Sequence, residues 1–270
     1  MLVLEQNMIN VNLIIFINIC NKDICIVYII MLIDLISLVK KYNITINGIL
    51  HVGASVCEEL STYKKCNLTN NDIYWVEGNE DNITVVKNTL EPDIKIYDCL
   101  IDDKDDCEVK FNISSALMSS SLLEFGTHLT HHREISMVDV KYKKTTRLDT
   151  FIDKNRIPIN KLNFLNIDIQ GTELRALKSL GNYIENIYFI MTEINTESVY
   201  KNCTLINELD SFLEEKGFIR VEQKIYGTCG WGDAFYIRSQ ILHANKEYYN
   251  SNEFKQYKTL IDGENIYFKC

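Results

Sequence analysis

The chain has few of the residues that interrupt regular structure. Proline occurs only 2 times and glycine only 11 times among 270 residues, which excludes a long linker of the proline- and glycine-rich kind. Hydrophobic residues make up 46% of the chain, and a chain of this length can bury one substantial core. We therefore expect one domain at residues 31–240, with an apolar N-terminal extension at residues 1–30 and a C-terminal tail at residues 241–270.

Basic residues are also scarce. The 28 lysines and arginines are outnumbered by 37 aspartates and glutamates, and the formal net charge is -9. Nucleic-acid ligands require clustered lysine and arginine side chains that displace counterions from the phosphates. The longest basic run here is the short segment Lys141–Lys144. The composition therefore argues against a nucleic-acid partner.

Cysteines are present, but their spacing marks neither a disulfide framework nor a zinc site. The nine cysteines contain no CxxC pair, which favours a reducing compartment. We expect a cytoplasmic protein. His128, His131 and His132 lie in a polar segment without a nearby pair of acids, and this pattern is more typical of a solvated loop than of a metal centre. No metal site is expected.

No apolar run is long enough to cross a membrane without interruption. Val11 to Ile17 and Ile24 to Leu38 both fall short of the roughly 20 apolar residues that a span needs. A signal peptide begins with a basic region. Residues 1–10 contain no lysine or arginine. From Met31 the pattern becomes that of an amphipathic helix ending near Tyr42. Our hypothesis is that Met31 is a true or alternative start and that residues 1–30 are not native. The rival interpretation is an N-terminal membrane anchor.

Apolar strands alternate with helical segments along the rest of the chain. The predicted strands lie at Gly48–Ser55, Asp72–Gly78, Ile94–Leu100, Glu108–Ile113, Met137–Lys143, Phe164–Ile169, Tyr188–Ile194, Phe218–Tyr226 and Ala234–Arg238. The alternation predicts an α/β protein with a doubly wound, mostly parallel sheet, and the last two strands predict an antiparallel strand at its end.

One segment sets a buried strand, an acidic turn and a helix in succession. Asp168 falls near the carboxyl end of the strand, Gly171 permits a sharp turn, and Glu173 opens the helix. Ligands of open α/β sheets bind outside the carboxyl ends of the strands. Asp168, Gln170 and Glu173 are therefore candidates for an active site.

A second candidate site lies earlier in the chain. Gly53 follows the first strand, and Glu77 ends the second strand twenty-four residues later, as in a nucleoside-binding βαβ unit whose acid accepts hydrogen bonds from ribose hydroxyls. The triple-glycine turn that a dinucleotide pyrophosphate requires is missing. A ligand with adenosine but no phosphates, such as S-adenosylmethionine, would tolerate this. The alternative is a purely structural βα turn.

Two acids end neighbouring strands in the second half of the chain. Asp168 or Glu193 could orient or deprotonate a substrate hydroxyl, although either could instead cap a helix. His128 is a further candidate base, because imidazole titrates near neutral pH.

These segments, taken in order, resemble one known family. From about Ile49 to Arg238 the chain resembles the FkbM-type S-adenosylmethionine-dependent methyltransferases, which have the Rossmann-like, seven-stranded class I methyltransferase fold. The segments that carry the resemblance are Ile49–Ser55, Trp75–Asn79, Ser119–Phe125, Leu165–Leu174, Thr192–Asn195 and Gly230–Ile237.

The resemblance implies O-methylation of a hydroxyl on a sugar or small metabolite, with S-adenosyl-L-methionine as cofactor. Asp168, Glu193 and His128 are then the candidate catalytic residues. The predicted cofactor contacts are His51, Gly53, Ala54, Ser55, Glu77, Gly78, Asn79, Cys99, Leu100, Asp102, Asp168 and Gln170. The chain departs from the family pattern at His51, Ser55 and Gln170, where many members have an acid, a glycine and a glutamate.

Two other functions remain open from the sequence. One is a nicotinamide-dependent oxidoreductase on a similar sheet, and the other is a catalytically silent binding protein. The expected partner is a small-molecule or glycan hydroxyl acceptor, not a nucleic acid or a membrane. Nothing in the sequence indicates an oligomeric state.

Overall fold

The computed structural model describes residues 32–245, so the predicted extension at residues 1–30 and most of the predicted tail lie outside the described residues. The strands are β1 (Ile49–Val52), β2 (Ile73–Glu77), β3 (Lys95–Asp98), β4 (Leu100–Ile101), β5 (Glu108–Ser114), β6 (Met137–Thr146), β7 (Phe164–Ile167), β8 (Phe189–Asn195), β9 (Phe218–Ile225) and β10 (Trp231–Arg238). The α-helices are α1 (Leu35–Lys41), α2 (Leu60–Lys65), α3 (Glu80–Thr89), α4 (His128–His131), α5 (Leu148–Asn155), α6 (Glu173–Ser179), α7 (Ile206–Glu215) and α8 (Ser239–Ala244).

Seven strands form one sheet in the order β3-β2-β1-β7-β8-β10-β9. The first five of these are parallel, and β10 runs antiparallel between β8 and β9. The strand order reverses between β1 and β7, which creates a crevice at their carboxyl ends. The prediction of a mostly parallel, doubly wound sheet with an antiparallel strand at its end is confirmed.

Helices cover both faces of this sheet. On one face, α5, α6 and α7 pack against a core that includes Leu165 and Ile190. On the other face, α1, α2 and α3 pack against a core that includes Trp75 and Phe164. The strands β7 and β8 are buried along their whole length. Burial from both sides explains why these strands are nearly continuous apolar runs in the sequence.

A smaller sheet in the order β4-β6-β5 lies beside the main one. Strand β4 follows β3 directly, and β5 and β6 form a long antiparallel pair. Both long strands were predicted, and both are confirmed. The segment between them returns to the main sheet, because Ser121 Oγ donates a hydrogen bond to the Gln170 carbonyl at 2.7 Å.

Two local predictions were wrong. The first helix begins at Leu35 and not at Met31, because the Asp34 side chain accepts the N–H of Ile36 and caps the helix there. The histidine segment is a short helix and not a solvated loop, and His128 is only 4% exposed. Across residues 32–245, none of the helices has the length and apolar character of a membrane span.

Candidate active site

The turn after β1 brings the backbone of two strands into close contact. Gly53 has a φ of +89°, and a Cβ atom at this position would lie 1.6 Å from the carbonyl oxygen of Asp168. Only glycine fits such an approach. The N–H of Gly53 donates to the Val76 carbonyl at 2.9 Å. The turn is therefore fixed between β2 and β7 at the point where the strand order reverses.

The carboxylate of Glu77 organises the turns that follow β1 and β2. It accepts the N–H of Ser55 at 2.7 Å and the N–H of Asn79 at 2.6 Å, one on each oxygen. The side chain is buried, and this burial raises the pKa of Glu77 to about 7 against the effect of the two hydrogen bonds. Each carboxylate oxygen has a second lone pair that can still accept a donor from a bound molecule.

His51 lies behind the Gly53 turn in a buried polar chain. The Tyr63 hydroxyl is 3.0 Å from His51 Nδ1 and also accepts the Asn166 side-chain N–H at 2.8 Å. Burial lowers the pKa of His51 to about 3, so this imidazole is neutral at neutral pH. The uncharged imidazole therefore supports the turn through its contact with Tyr63.

The main cavity is a cleft along the carboxyl ends of the central strands. It encloses about 1130 Å³, including the open solvent at its mouth, and it extends from the β2–β3 side to β10. Glu77, Asp168 and Glu193 therefore line one continuous open space.

Most of the predicted site residues line this cleft. They are His51, Gly53, Ser55, Glu77, Gly78, Cys99, Leu100, Asp168, Gln170 and Glu193. The site residues predicted from separate motifs thus line a single cavity. Glu77 lies towards one end of it and Glu193 towards the other.

Four predicted site residues do not line the cleft. Ala54 is packed in the core, and Asn79 is fully buried as the cap of α3. Asp102 forms an ion pair with Arg175. The His128 ring stacks on the Phe125 ring with 3.9 Å between centroids, and burial lowers the pKa of His128 to about 4. The position of His128 therefore does not support its predicted role as a base.

Gln170 connects the two acids that were predicted to act on a substrate. Its side-chain N–H group donates to Asp168 Oδ1 at 2.5 Å and to Glu193 Oε2, while its Oε1 accepts the Tyr200 hydroxyl. The backbone of Gln170 is left-handed, with a φ of +58°, which is uncommon for a residue other than glycine. The Ser121 hydroxyl holds the carbonyl of this residue. Asp168 is the exposed member of the pair, while Glu193 is buried.

The pKa values of the buried acids Glu193 and Asp233 are raised in the cleft. Burial raises the pKa of Glu193 well above its usual range, and the charge of Asp168 beside it raises it further. Asp233, opposite Glu193 on β10, also has its pKa raised by burial, to about 7. Two carboxylates that share a site favour one protonated partner. The protonated form of Glu193 is therefore favoured beside Asp168.

Three carboxylates approach each other closely enough to hold a metal ion. Oxygen atoms of Asp168, Glu173 and Glu193 lie within 4.8 Å of one another. Glu173, however, accepts the N–H groups of Ile169 and Gly171 at 3.2 and 2.9 Å, and so fixes the turn before its own helix. The amide of Gln170 already bridges the other two acids. The three carboxyl groups are therefore held by hydrogen bonds from the protein.

Sequence reasoning missed several residues of the cleft. Glu58 and Glu59 follow the glycine turn, Asn82 lies on α3, and Asp233 and Leu32 meet at the β10 end. The position of Asn82 in the first turn of the helix that follows Glu77 could have indicated it. Nothing in the sequence could have paired Leu32 with Asp233, because 201 residues separate them.

The sheet order, the glycine turn after β1 and the acid at the end of β2 together define a Rossmann-like fold of the class I methyltransferase type. A family comparison makes the assignment more specific. The model of the methyltransferase FkbM domain matches residues 51–220. The chain belongs to the FkbM methyltransferase family.

Two solved structures are distantly similar. A methyltransferase FkbM from Methylobacillus flagellatus KT is 14% identical, with a TM-score of 0.44, and the match covers 71% of this chain and 43% of that chain. TrmK from M. capricolum, in complex with the natural cofactor product S-adenosyl-homocysteine, is 11% identical, with a TM-score of 0.37, and the match covers 83% of this chain and 93% of that chain. The chain thus spans less than half of the first of these proteins. No curated protein matches the chain.

Proposed function

We propose that this protein is an S-adenosylmethionine-dependent methyltransferase that methylates a hydroxyl of a sugar or small metabolite. The observation that supports this most strongly is that the Gly53 turn, Glu77 and Asp168 line one cleft at the switch point of the sheet. Family membership supports methyl transfer, while the cofactor and the acceptor are inferred from the site.

The residues around Glu77 suit the nucleoside of this cofactor. Glu77 keeps acceptor capacity for ribose hydroxyls, and Gly53 lets the backbone approach a ligand without a side chain between them. Asn82 lines the same end, is 2% exposed, and has no side-chain hydrogen bond within residues 32–245. Buried amides normally have partners, so a polar ligand at this end would satisfy it. Cys99 and Leu100 supply an apolar wall for the adenine ring.

The chemistry needs one proton acceptor on the chain. Bound S-adenosylmethionine supplies an electrophilic methyl carbon on a sulfonium sulfur. Transfer of this methyl group to an acceptor hydroxyl would give the methyl ether and S-adenosylhomocysteine and would release the hydroxyl proton. Asp168 is the exposed carboxylate of the Asp168–Glu193 pair and is the proposed acceptor of that proton. Gln170 orients both carboxyl groups.

Calorimetric titration tests the cofactor. We expect saturable binding of S-adenosylmethionine and S-adenosylhomocysteine and no comparable binding of NAD. Tight binding of NAD alone would favour the oxidoreductase instead. Incubation with labelled cofactor and a cell extract then tests activity. If the protein binds cofactor but labels no product in a broad range of extracts, it is a silent methyltransferase-like binding protein.

Substitution of Glu77 tests the ribose contact. Loss of a charge-assisted hydrogen bond costs roughly 1.5–3 kcal/mol, so Glu77→Ala should weaken S-adenosylhomocysteine binding by about 10- to 100-fold. Glu80→Ala is the matched control, because Glu80 lies three residues away on α3 and faces Lys143 outside the cleft. An affinity of Glu77→Ala within about twofold of wild type would refute the ribose assignment.

A further inference from the structure

Three residues at the far end of the cleft form what we term the β8–β10 corner: Glu193, Trp231 and Asp233. Asp233 lies directly opposite Glu193 in the antiparallel register, and Trp231 is two residues along β10 on the same face. All three line the cleft. Like charges directly opposite each other on a sheet destabilise it, so ionisation of both acids is unfavourable. A bound group of positive charge would relieve this repulsion.

Asp233 keeps one oxygen for a ligand. Its Oδ2 accepts the N–H groups of Leu32 and Ile33, the second at 3.4 Å. Its Oδ1 has no hydrogen-bond partner within the described part of the chain, although the side chain is only 8% exposed. Lys224, opposite Asp233 on β9, lowers the pKa of Asp233, but burial has the larger effect. An acceptor oxygen without a partner in a cleft wall is a site for a donor from a bound molecule.

Trp231 lines the same cleft as Asp233. Its indole N–H donates to His132 Nε2 at 3.3 Å, and Tyr226 stacks on it with 4.8 Å between ring centroids. The polar edge and one face of the indole are therefore engaged by the protein. The face of an indole attracts cations through its quadrupole and repels anions.

The cleft offers no partner for an anionic acceptor. Among residues 32–245, its lining includes six carboxyl side chains and no lysine or arginine. Its one histidine is His51, whose pKa is lowered to about 3 by burial, so it carries no charge at neutral pH. A phosphate or carboxylate on the acceptor would lie among acids with no countercharge.

We propose that the methyl acceptor carries a positively charged amine, which binds at the β8–β10 corner between Asp233 Oδ1 and the ring of Trp231. The inference rests on the proposed function, because it takes this end of the cleft as the acceptor site. It deepens that function by narrowing the acceptor from any hydroxyl compound to a cationic one, such as an amino sugar or an amino alcohol.

Calorimetry with two matched probes tests the charge preference. Choline and its uncharged isostere 3,3-dimethyl-1-butanol have nearly the same shape and differ in charge. With the full chain saturated by S-adenosylhomocysteine, choline should bind at least tenfold more tightly than the isostere. Equal binding, or tighter binding of the isostere, would overturn the proposal.

Variants identify where choline binds. Asp233→Asn retains an oxygen for the Leu32 and Ile33 amides and should remove the preference for choline, and Trp231→Leu should weaken choline binding at least fivefold. Glu124→Gln, an exposed acid paired with Lys201 outside the cleft, should leave choline binding unchanged. An unaltered preference in folded Asp233→Asn would overturn the proposal, as would Mg²⁺ binding that depends on Asp233 while choline does not bind. The wild-type comparison decides the matter if a variant fails to fold.

The charge of the labelled product is an independent readout. Product from the extract assay should be retained by a cation exchanger at pH 7. A neutral or anion-exchanger-retained product would contradict an amine acceptor while leaving methyl transfer itself intact. Absence of S-adenosylhomocysteine binding would instead refute the proposed function, and the two failures are therefore distinguishable.

Discussion

The two ends of the cleft are built on opposite electrostatic principles. At the β1–β2 end, the carboxylate of Glu77 receives two backbone N–H groups and so fixes the turns around it. At the β7–β10 end, Asp168, Glu193 and Asp233 lie near one another, and a single neutral amide from Gln170 bridges the first two. The first end is rigid before any ligand binds. At the second end, burial and the charge of Asp168 raise the pKa values of Glu193 and Asp233, so a bound cation would favour their ionised forms.

The largest expected effect comes from disturbing the rigid end. In Gly53→Ala the new Cβ would lie 1.6 Å from the Asp168 carbonyl oxygen, so the strands β1 and β7 must separate. We expect a loss of more than ~4 kcal/mol of stability or failure to fold, in the range of the most damaging single substitutions. Urea denaturation followed by circular dichroism measures this.

Gly217→Ala is the matched control for that substitution. Gly217 also has a positive φ, of +80°, but the nearest atom to its added Cβ is 3.9 Å away. Gly217→Ala should therefore lose only the cost of the left-handed backbone, about 1–2 kcal/mol. Similar losses in the two variants would show that the close approach at Gly53 is unimportant.

An intermediate effect should follow from the buried acid Asp233 at the other end. The pKa of Asp233 is raised to about 7 by burial, so the folded protein retains a proton that the unfolded chain releases near pH 4. The stability associated with this proton is present below the unfolded pKa and declines as the pH rises towards 7. Wild type should therefore lose stability relative to Asp233→Asn between pH 5 and pH 8, by on the order of 2–4 kcal/mol.

Urea titrations of both proteins at pH 5, 6, 7 and 8 check this prediction. The buried histidines have lowered pKa values, which make the folded state more stable as the pH rises. Both proteins share this contribution, so it cancels in the difference between their free energies of unfolding. A difference that is constant from pH 5 to pH 8 would mean that Asp233 does not titrate in this range.

The smallest effect should come from replacing the bridging amide. Gln170→Glu preserves the shape but adds a third acid between Asp168 and Glu193, so it should reduce stability by about 1–3 kcal/mol at pH 8 and by less at pH 5. Exposed Gln223→Glu on β9 should change stability by less than about 0.5 kcal/mol. If Gln170→Glu were as stable as wild type at pH 8, the bridging role of the amide would be wrong.

The rigid end was the easier half to predict from sequence. Gly53 and Glu77 each directly follow or end a buried strand, and parallel strands bring their carboxyl ends to one edge of the sheet. Asp168 followed from the same reasoning. These predictions needed only local patterns and the order of strands.

The far end depends on contacts between distant parts of the chain. The backbone of Leu32 reaches Asp233 across 201 residues, and no local pattern records such a contact. His128 was proposed as a base because of its residue type, yet its ring packs on Phe125 away from the cleft. Residue type indicates what chemistry is possible, while tertiary packing decides whether the side chain reaches the cleft.

A crystal structure of the complex with S-adenosylhomocysteine tests the division of the cleft most directly. We predict that the ribose hydroxyls lie within hydrogen-bonding distance of Glu77, that the sulfur faces Asp168, and that the β8–β10 corner stays open for the acceptor. Adenosine bound against Trp231 and Asp233, with Glu77 out of contact, would contradict the account.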